Sequence, residues 1–466
     1  MKRYIIYYIH HLRIFKHMLL LLVCSLCACE SFVETDLPNN QITAETVYAD
    51  ENTTSSALLN VYAKLREGGI LTGNDVGVGN LMAHYTDELD LYQTSRANLL
   101  LFYENNLLPE TPFIEQLWEY TYNQIYALND ILNYTADNAQ LDANYVQQIQ
   151  GEAYLLRALL HFHLQQLFGE IPYTTTTNYV DNIKIQKLSE EQVYEKLIAD
   201  LLQAQELLPE LYPASDRVRP NKAVAQALLS RVYLYAGAWD KAVTTATQLI
   251  ENPIYDVEIP LNQVFLKDSP AAIFQLSPDS DGLNTYEAAE YIFESLPAPK
   301  TALTQRLINS FETEDQRLQQ WIGKVEEDEA IGYYPFKYKE KRSTDSTLEY
   351  TVVLRIAEQY LIRAEAYAHM GQLSLAASDL NTIRTRAALP DIEASTPEQM
   401  LAAILSERRH EFFTEYGHRF YDLKRFNAAD EALNYKSGWE PYKVRLPLPE
   451  SELVLNPNLQ PQNTGY

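Results

Sequence analysis

The sequence predicts a mostly α-helical chain: a scaffold of about four stacked helix pairs, interrupted by irregular loop-rich insertions and carrying few short strands. Three observations lead there. Apolar residues recur with helical period through most of the 466 residues. Two segments far apart in the chain repeat one spacing of Tyr, Gly and Ala: Tyr233, Gly237, Ala242 and then Tyr367, Gly371, Ala376. Two long stretches, about 68–112 and 252–347, break the pattern with Gly, Pro, Asn, Asp and Tyr and no sustained helical stripe.

At the N-terminus, Lys2, Arg3, Arg13 and Lys16 precede an apolar run from Met18 to Ala28. The run has the length of a signal-peptide core and is too short to span a bilayer. Leu26 three places before Cys29 and Ala28 one place before it make a bacterial lipobox pattern. Cleavage before Cys29 frees its thiol to take a diacylglycerol. Two or three acyl chains, at about 0.8 kcal/mol per buried CH₂, form a lasting anchor. Residues 1–28 therefore read as a cleaved lipoprotein signal and 29–45 as a lipidated tether with Glu30, Glu34 and Asp36 near the lipid. Residues 46–466 read as the folded domain.

The only cysteines are Cys24, Cys27 and Cys29. Cys24 and Cys27 fall inside the cleaved segment, so the mature chain keeps one, and that one is acylated. This excludes an intrachain disulfide and a cysteine metal site. Losing the four basic residues takes the formal net charge from −26 to −30. So acidic a surface repels phosphate backbones and argues against nucleic acid. With 46% hydrophobic residues and no long Gly/Ser or Pro-rich linker, the mature chain is expected to form one compact unit with a large core.

The first helix pair is expected at about 46–67 and 111–134, the second at about 143–168 and 190–208. The two Tyr-Gly-Ala segments resemble the turn inside a tetratricopeptide repeat. The Gly ends the first helix, and the small Ala lets the second pack closely. Such pairs cannot bury their faces alone, so they stack. Arg157, set among Leu and Phe, is expected to be partly buried against a carboxylate. His161 and His163 point about 200° apart on a helix and cannot share a metal. Further on, 407–425 reads as one helix with Glu415–Arg419 and Arg419–Asp422 as ion pairs. Phe412, Phe413, Tyr416 and Phe420 form its packing face. Arg317, with Phe311 and Asp315, reads as scaffold.

No H-E-x-x-H, G-x-S-x-G or P-loop occurs, and Gly77 and Gly79 lack the third glycine of a nucleotide site. No pair of carboxylates stands out as a hydrolase acid and base. The expectation is a non-enzyme without cofactor or metal.

From Arg157 onward the residues become specific. Arg157 to Tyr173, with His161, Phe162, Phe168, Gly169 and Pro172, closely resembles a signature of the SusD/RagB family, and Trp118, Tyr122, Ile125 and Asn129 match the helix before it. Leu354 to Tyr367, with Arg355, Glu358 and Glu365, resembles the family's later repeat helix, and Asn381, Arg384 and Arg386 continue it. Glu407 to Arg425 resembles its most recognisable helix. The tail, Pro447 and Pro449 and then Asn456 to Tyr466, resembles its C-terminus, with Thr464 where Pro is usual. The resemblance implies a nutrient-uptake lipoprotein of the outer membrane, facing the cell exterior and acting as a lid over a SusC-like TonB-dependent transporter. It does no covalent chemistry. The cargo implied is a glycan, or in some members an oligopeptide.

Sugars stack their C–H faces on aromatic rings and need planar polar partners for their hydroxyls. The two irregular stretches are the segments free to supply both. The first offers Tyr85, Asp87, Glu88, Tyr92, Arg96, Asn98 and Tyr103. The second offers Trp321 as the leading ring, with Tyr286, Tyr291, Tyr333 and Tyr334. The alternatives are oligopeptide capture by the same machinery, a lid with no ligand of its own, and a surface enzyme.

Overall fold

The computed structural model describes residues 2–26 and 44–466, and Cys29 lies outside them. The helix α1 (Lys2–Leu26) and the turn α2 (Ala44–Val47) belong to one unit, and residues 48–466 form another. No helix among the described residues is long and apolar enough to cross a membrane.

In the larger unit α3 (Glu51–Glu67) leads into the first irregular stretch. That stretch holds two short helices, α4 (Val78–Tyr85) and α5 (Ala97–Tyr103), around the strand β1 (Leu89–Leu91). The scaffold continues with α6 (Pro112–Thr135), α7 (Ala143–Phe168), the single turn α8 (Tyr179–Asn182), α9 (Glu190–Leu207), α10 (Lys222–Tyr235) and α11 (Trp239–Ile250). The second irregular stretch holds β2 (Ala272–Leu276), α12 (Tyr286–Tyr291), β3 (Thr301–Leu303) and the one-turn helices α13 (Gln305–Ile308) and α14 (Arg317–Gln320). A hairpin of β4 (Ile322–Glu327) and β5 (Ala330–Pro335) follows. After β6 (Thr351–Arg355) come α15 (Ile356–His369), α16 (Leu373–Arg386), α17 (Pro397–Phe412), α18 (His418–Arg425), α19 (Ala429–Leu433) and α20 (Glu450–Leu455).

The long helices pack in series: α3 on α6, α6 on α7, α7 on α9, α9 on α10, α10 on α11, α11 on α15, α15 on α16, α16 on α17. This is a mostly helical, tetratricopeptide-like scaffold with short strands in its excursions. Its helix starts are written in the sequence. Asp50, Asp142 and Asn221 accept first-turn N–H groups, Ser189 and Gln192 form a capping box, and Pro112 and Pro397 open their helices.

The two Tyr-Gly-Ala segments are the same turn. Gly237 and Gly371 sit at φ +70° and +72°, where a side chain is disfavoured. The next N–H reaches back to the tyrosine carbonyl, Ala238 to Tyr233 at 2.9 Å and Gln372 to Tyr367 at 2.8 Å. That is the Schellman closure. Ala242 and Ala376 are fully buried where the second helix seats on the first.

The expected helix 407–425 divides. α17 ends at Phe412, and Thr414, Tyr416 and Gly417 all take positive φ before α18 begins. The break separates Glu415 from Arg419, while Arg419 and Asp422, both on α18, turn to other partners. Glu415 instead meets Lys337 (2.5 Å) and Arg355 (2.9 Å), Arg419 meets Asp87 (2.8 Å), and Asp422 meets Arg408 (2.7 Å). Arg157 behaves as expected and grips Asp200 through two bonds of 2.7 and 2.6 Å, with Asn129 taking a third. His161 stacks on Tyr173 at 3.8 Å. Its Nδ1 donates to the Arg157 carbonyl and its Nε2 accepts from the Thr174 N–H. Burial pushes both His161 and His163 down to about 3, so both rings are neutral packing groups.

Candidate functional site

The two irregular stretches meet through a strand pair. β1 runs antiparallel to β3, with Leu89 opposite Leu303, Asp90 opposite Ala302 and Leu91 opposite Thr301. The ladder continues on both sides: the Tyr92 N–H donates to the Lys300 carbonyl (2.8 Å) and the Thr304 N–H to the Glu88 carbonyl (2.9 Å). Leu89 and Leu91 point inward and Asp90 lies between them, so the strand's alternation carries Asp90 and then Tyr92 toward the surface.

Around Asp90 the chain gathers aromatic and charged groups. The Tyr103 hydroxyl donates to Asp90 at 3.2 Å, and burial followed by this carboxylate pushes Tyr103 up to about 12. The Lys436 ammonium lies 5.0 Å over the Tyr103 ring and donates to the carbonyls of His84 and Thr86. Burial brings Lys436 down to about 7, against the pull of Asp87 and Asp90. Beside it, Tyr435 holds the Arg306 guanidinium 4.0 Å over its ring. Tyr92 is half exposed, at 50%.

Toward α12 the surface becomes ionic and internally balanced. Arg96 pairs with Asp75 (2.5 Å) and reaches Glu290 (3.5 Å), while Lys300 pairs with Glu290 (2.6 Å). Thr285 caps α12, so Tyr286 stands in its first turn with Glu290 one turn on. Tyr286 is 41% exposed. It borders a groove of about 170 Å³ that Arg66, Asp279, Asn284, Glu340 and Arg342 also line.

The sequence candidates therefore separate. Tyr92 is an exposed ring beside the strand pair and Tyr286 an exposed ring on α12, and Tyr103 and Asn98 are half-buried on α5. Tyr333 and Tyr334 are half-buried on the β4–β5 hairpin, where Tyr334 packs edge-on against Phe293 at 5.1 Å and Phe336 at 5.6 Å.

Five candidates, Glu88 among them, are interior and cannot reach a ligand. Trp321 is fully buried. Its indole N–H donates to the Leu261 carbonyl at 2.9 Å, and its ring meets Phe265 at 5.5 Å. Tyr291 is buried at the end of α12. Tyr85 is sealed among Phe102, Phe420 and Trp439 and donates to the Lys443 carbonyl at 2.9 Å. Asp87 is held by Arg409 (2.7 Å) and Arg419 (2.8 Å). Burial alone would raise its carboxyl, but the two guanidiniums outweigh it and hold it below the usual range. The Thr86–Glu88 segment is thus a structural clamp.

Asp75, Asp90, Glu290, Lys300 and Tyr435 stand near the candidate rings and were not singled out from the sequence. Glu290 alone had a local signal, one helical turn after Tyr286. The others converge only through the strand pair.

Glu88 and Glu287 are the carboxyls that burial pushes up to about 7. Both face inward: Glu88 accepts the Thr414 N–H at 3.1 Å and Glu287 the Thr351 hydroxyl at 2.9 Å. An internal cavity of about 30 Å³ beside Glu287, Asn80 and Tyr416 has room for water only. No group of three His, Cys, Asp or Glu among the described residues could hold a metal ion.

Comparison with known proteins agrees with this architecture. A family model described as SusD-like, starch-binding and associating with the outer membrane matches residues 45–234, and the SusD family model matches residues 322–466. A SusD-like protein, P2, of Formosa agariphila is 28% identical over 419 residues, covering 74% of this chain and 79% of its own. A SusD superfamily protein from Bacteroides vulgatus superposes with a TM-score of 0.77 at 23% identity, over 90% of this chain and 99% of that one. A laminarin-binding SusD-like protein superposes at 0.74 and 23% identity over 90% and 100%. Surface glycan-binding protein A from Bacteroides uniformis gives 0.73 and 20% over 89% and 99%.

Proposed function

Because the chain belongs to the SusD/RagB family, we propose that it is a surface lipoprotein that captures an oligosaccharide and delivers it to a partner TonB-dependent transporter in the outer membrane. The observation that carries the reading is the exposure of Tyr92 beside the β1–β3 pair and of Tyr286 on α12, with the Arg96–Asp75 and Lys300–Glu290 ion pairs in these segments. Relatives of the same fold are named for laminarin and surface glycan binding, which supports a saccharide cargo.

The charges on this face favour an uncharged ligand over a peptide. Asp75 and Glu290 would be the anchors for a peptide amine, yet Arg96 and Lys300 already neutralise them. The reading is binding without covalent chemistry, in keeping with relatives named for binding glycans.

Tyr92→Ala and Tyr286→Ala are each expected to remove about 1–3 kcal/mol of glycan binding by loss of a stacking ring, with little change in melting temperature. Calorimetric titration with thermal melts measures both. Two variants that bind glycans like the parent protein would remove the site from this face.

The anchor in this reading is a lipid on Cys29, motivated by the lipobox. Cys29→Ala is expected to move the protein from the membrane to the soluble fraction without unfolding it. Tight membrane association of that variant in cells lacking the transporter would contradict the anchor.

A further inference from the structure

A second concave surface lies apart from this face. On α6 the residues Glu119, Tyr122, Asn123 and Tyr126 fall at successive turns of one stripe. Opposite them run Pro172 to Thr176, then Tyr179 and Asn182 of α8, and the end of α20. Together they enclose a groove of about 540 Å³, within the roughly 300–1,000 Å³ usual for small-molecule sites.

Two rings stand free at this groove: Tyr126 is 52% exposed and Tyr179 is 74% exposed. The walls between them are held in place. The Tyr122 hydroxyl donates to the Pro172 carbonyl at 2.7 Å. Asn129 donates to the Thr174 carbonyl at 3.1 Å and is itself fixed by Arg157 at 2.8 Å. Asn182 donates to the Thr176 carbonyl at 2.8 Å. Asn123 presents an exposed amide, and Glu119 and Glu452 present carboxylates that accept hydroxyls and repel anions.

Free aromatic rings over a fixed wall that mixes amides and carbonyls with the apolar side chains of Ile183, Ile185, Leu455 and Leu459, with carboxylates as the lining charges, are chemistry suited to a neutral sugar chain. We propose that this groove is a second saccharide site, which takes an uncharged oligosaccharide between Tyr126 and Tyr179. The inference rests on the reading of the protein as a glycan-capture lipoprotein. It adds a separate place of contact, so that one chain grips a polymer at two points and gains avidity from the link between them.

The test applies full-length protein in detergent to an array of neutral and acidic oligosaccharides. The parent is compared with Tyr126→Ala/Tyr179→Ala and with Tyr92→Ala/Tyr286→Ala. Each double variant is expected to lose roughly tenfold or more on neutral glycans while keeping the binding that the other abolishes. Both are expected to melt like the parent, because all four rings are exposed. If the groove variant binds every glycan like the parent, the second site is overturned and the first reading stands. If only the groove variant loses binding, the second site stands and the β1–β3 face falls. Binding of no glycan by the parent overturns both. Val454 and Leu455 stand exposed beside the groove at 72% and 75%. A groove variant that keeps its sugars but no longer co-purifies with the transporter would make the surface a protein interface and overturn the saccharide assignment.

Discussion

Glu411→Ala is expected to destabilise the protein by about 3–5 kcal/mol, the scale for breaking a buried ion pair. Glu411 is fully buried at the end of α17 and accepts from three guanidiniums: Arg386 at 2.5 Å, Arg317 at 3.1 Å, and Arg355. Burial alone would raise its carboxyl, but the guanidiniums of Arg386, Arg355 and Arg317 outweigh that and hold it well below the usual range. Removing it leaves three cations facing one another in the interior. Arg317 keeps Asp315 and Glu407, and Arg355 keeps Glu415, but Arg386 has no other ion pair among the described residues. Denaturant unfolding measures the loss. A cost under about 1 kcal/mol would mean the remaining carboxylates suffice and the cluster does not depend on this residue.

Trp321→Ala is expected to cost a similar amount, about 3–5 kcal/mol, by opening a cavity in the core. The variant should still bind glycan normally wherever it is folded. The ring contacts Phe265, and the charged ends of Lys337, Arg386 and Arg355 lie 5.3, 5.6 and 5.9 Å from its centroid. These contacts anchor the second irregular stretch to the helical scaffold. Thermal melts paired with calorimetry separate the outcomes. A variant that melts like the parent but loses glycan would return Trp321 to the ligand and refute its place in the core.

The contrast between Trp321 and Arg157 shows what the sequence makes legible. Arg157 sits within an apolar helical stripe, and an unpaired guanidinium there would be too costly, so a carboxylate partner follows from local pattern alone. Gly237 and Gly371 are legible for the same reason, since a turn closes over a few residues. Trp321 lies in a stretch with only a short helical pattern, Leu303 to Ile322, which leaves the ring's direction open, and its burial is completed by Leu261 and Phe265, some sixty residues earlier in the chain. The break between α17 and α18 was hidden because 407–425 holds a good helical pattern. What overrides the pattern is Glu415 turning to Lys337 and Arg355, and Arg419 to Asp87. The face itself depends on β1 meeting β3 across some two hundred residues, a pairing no local spacing announces. Tyr92 and Tyr286 could be named as exposed rings, but not their company of Asp90, Glu290 and Lys300. Tyr179, on a one-turn helix outside both irregular stretches, escaped altogether.

The pairing of Asp75 with Arg96 and of Glu290 with Lys300 has a consequence for where the protein can work. The chain is strongly acidic, with a formal net charge of −26, and a ligand held by net charge would be released as dissolved ions shorten the reach of that charge, to about 8 Å at physiological ionic strength. Here Asp75 and Glu290 are balanced by Arg96 and Lys300, Asp90 is engaged by the Tyr103 hydroxyl, and stacking on Tyr92 and Tyr286 carries little net charge. On this reading, glycan binding is expected to change little between low and high salt. The acidity of the rest of the surface serves to keep neighbouring copies and anionic debris apart.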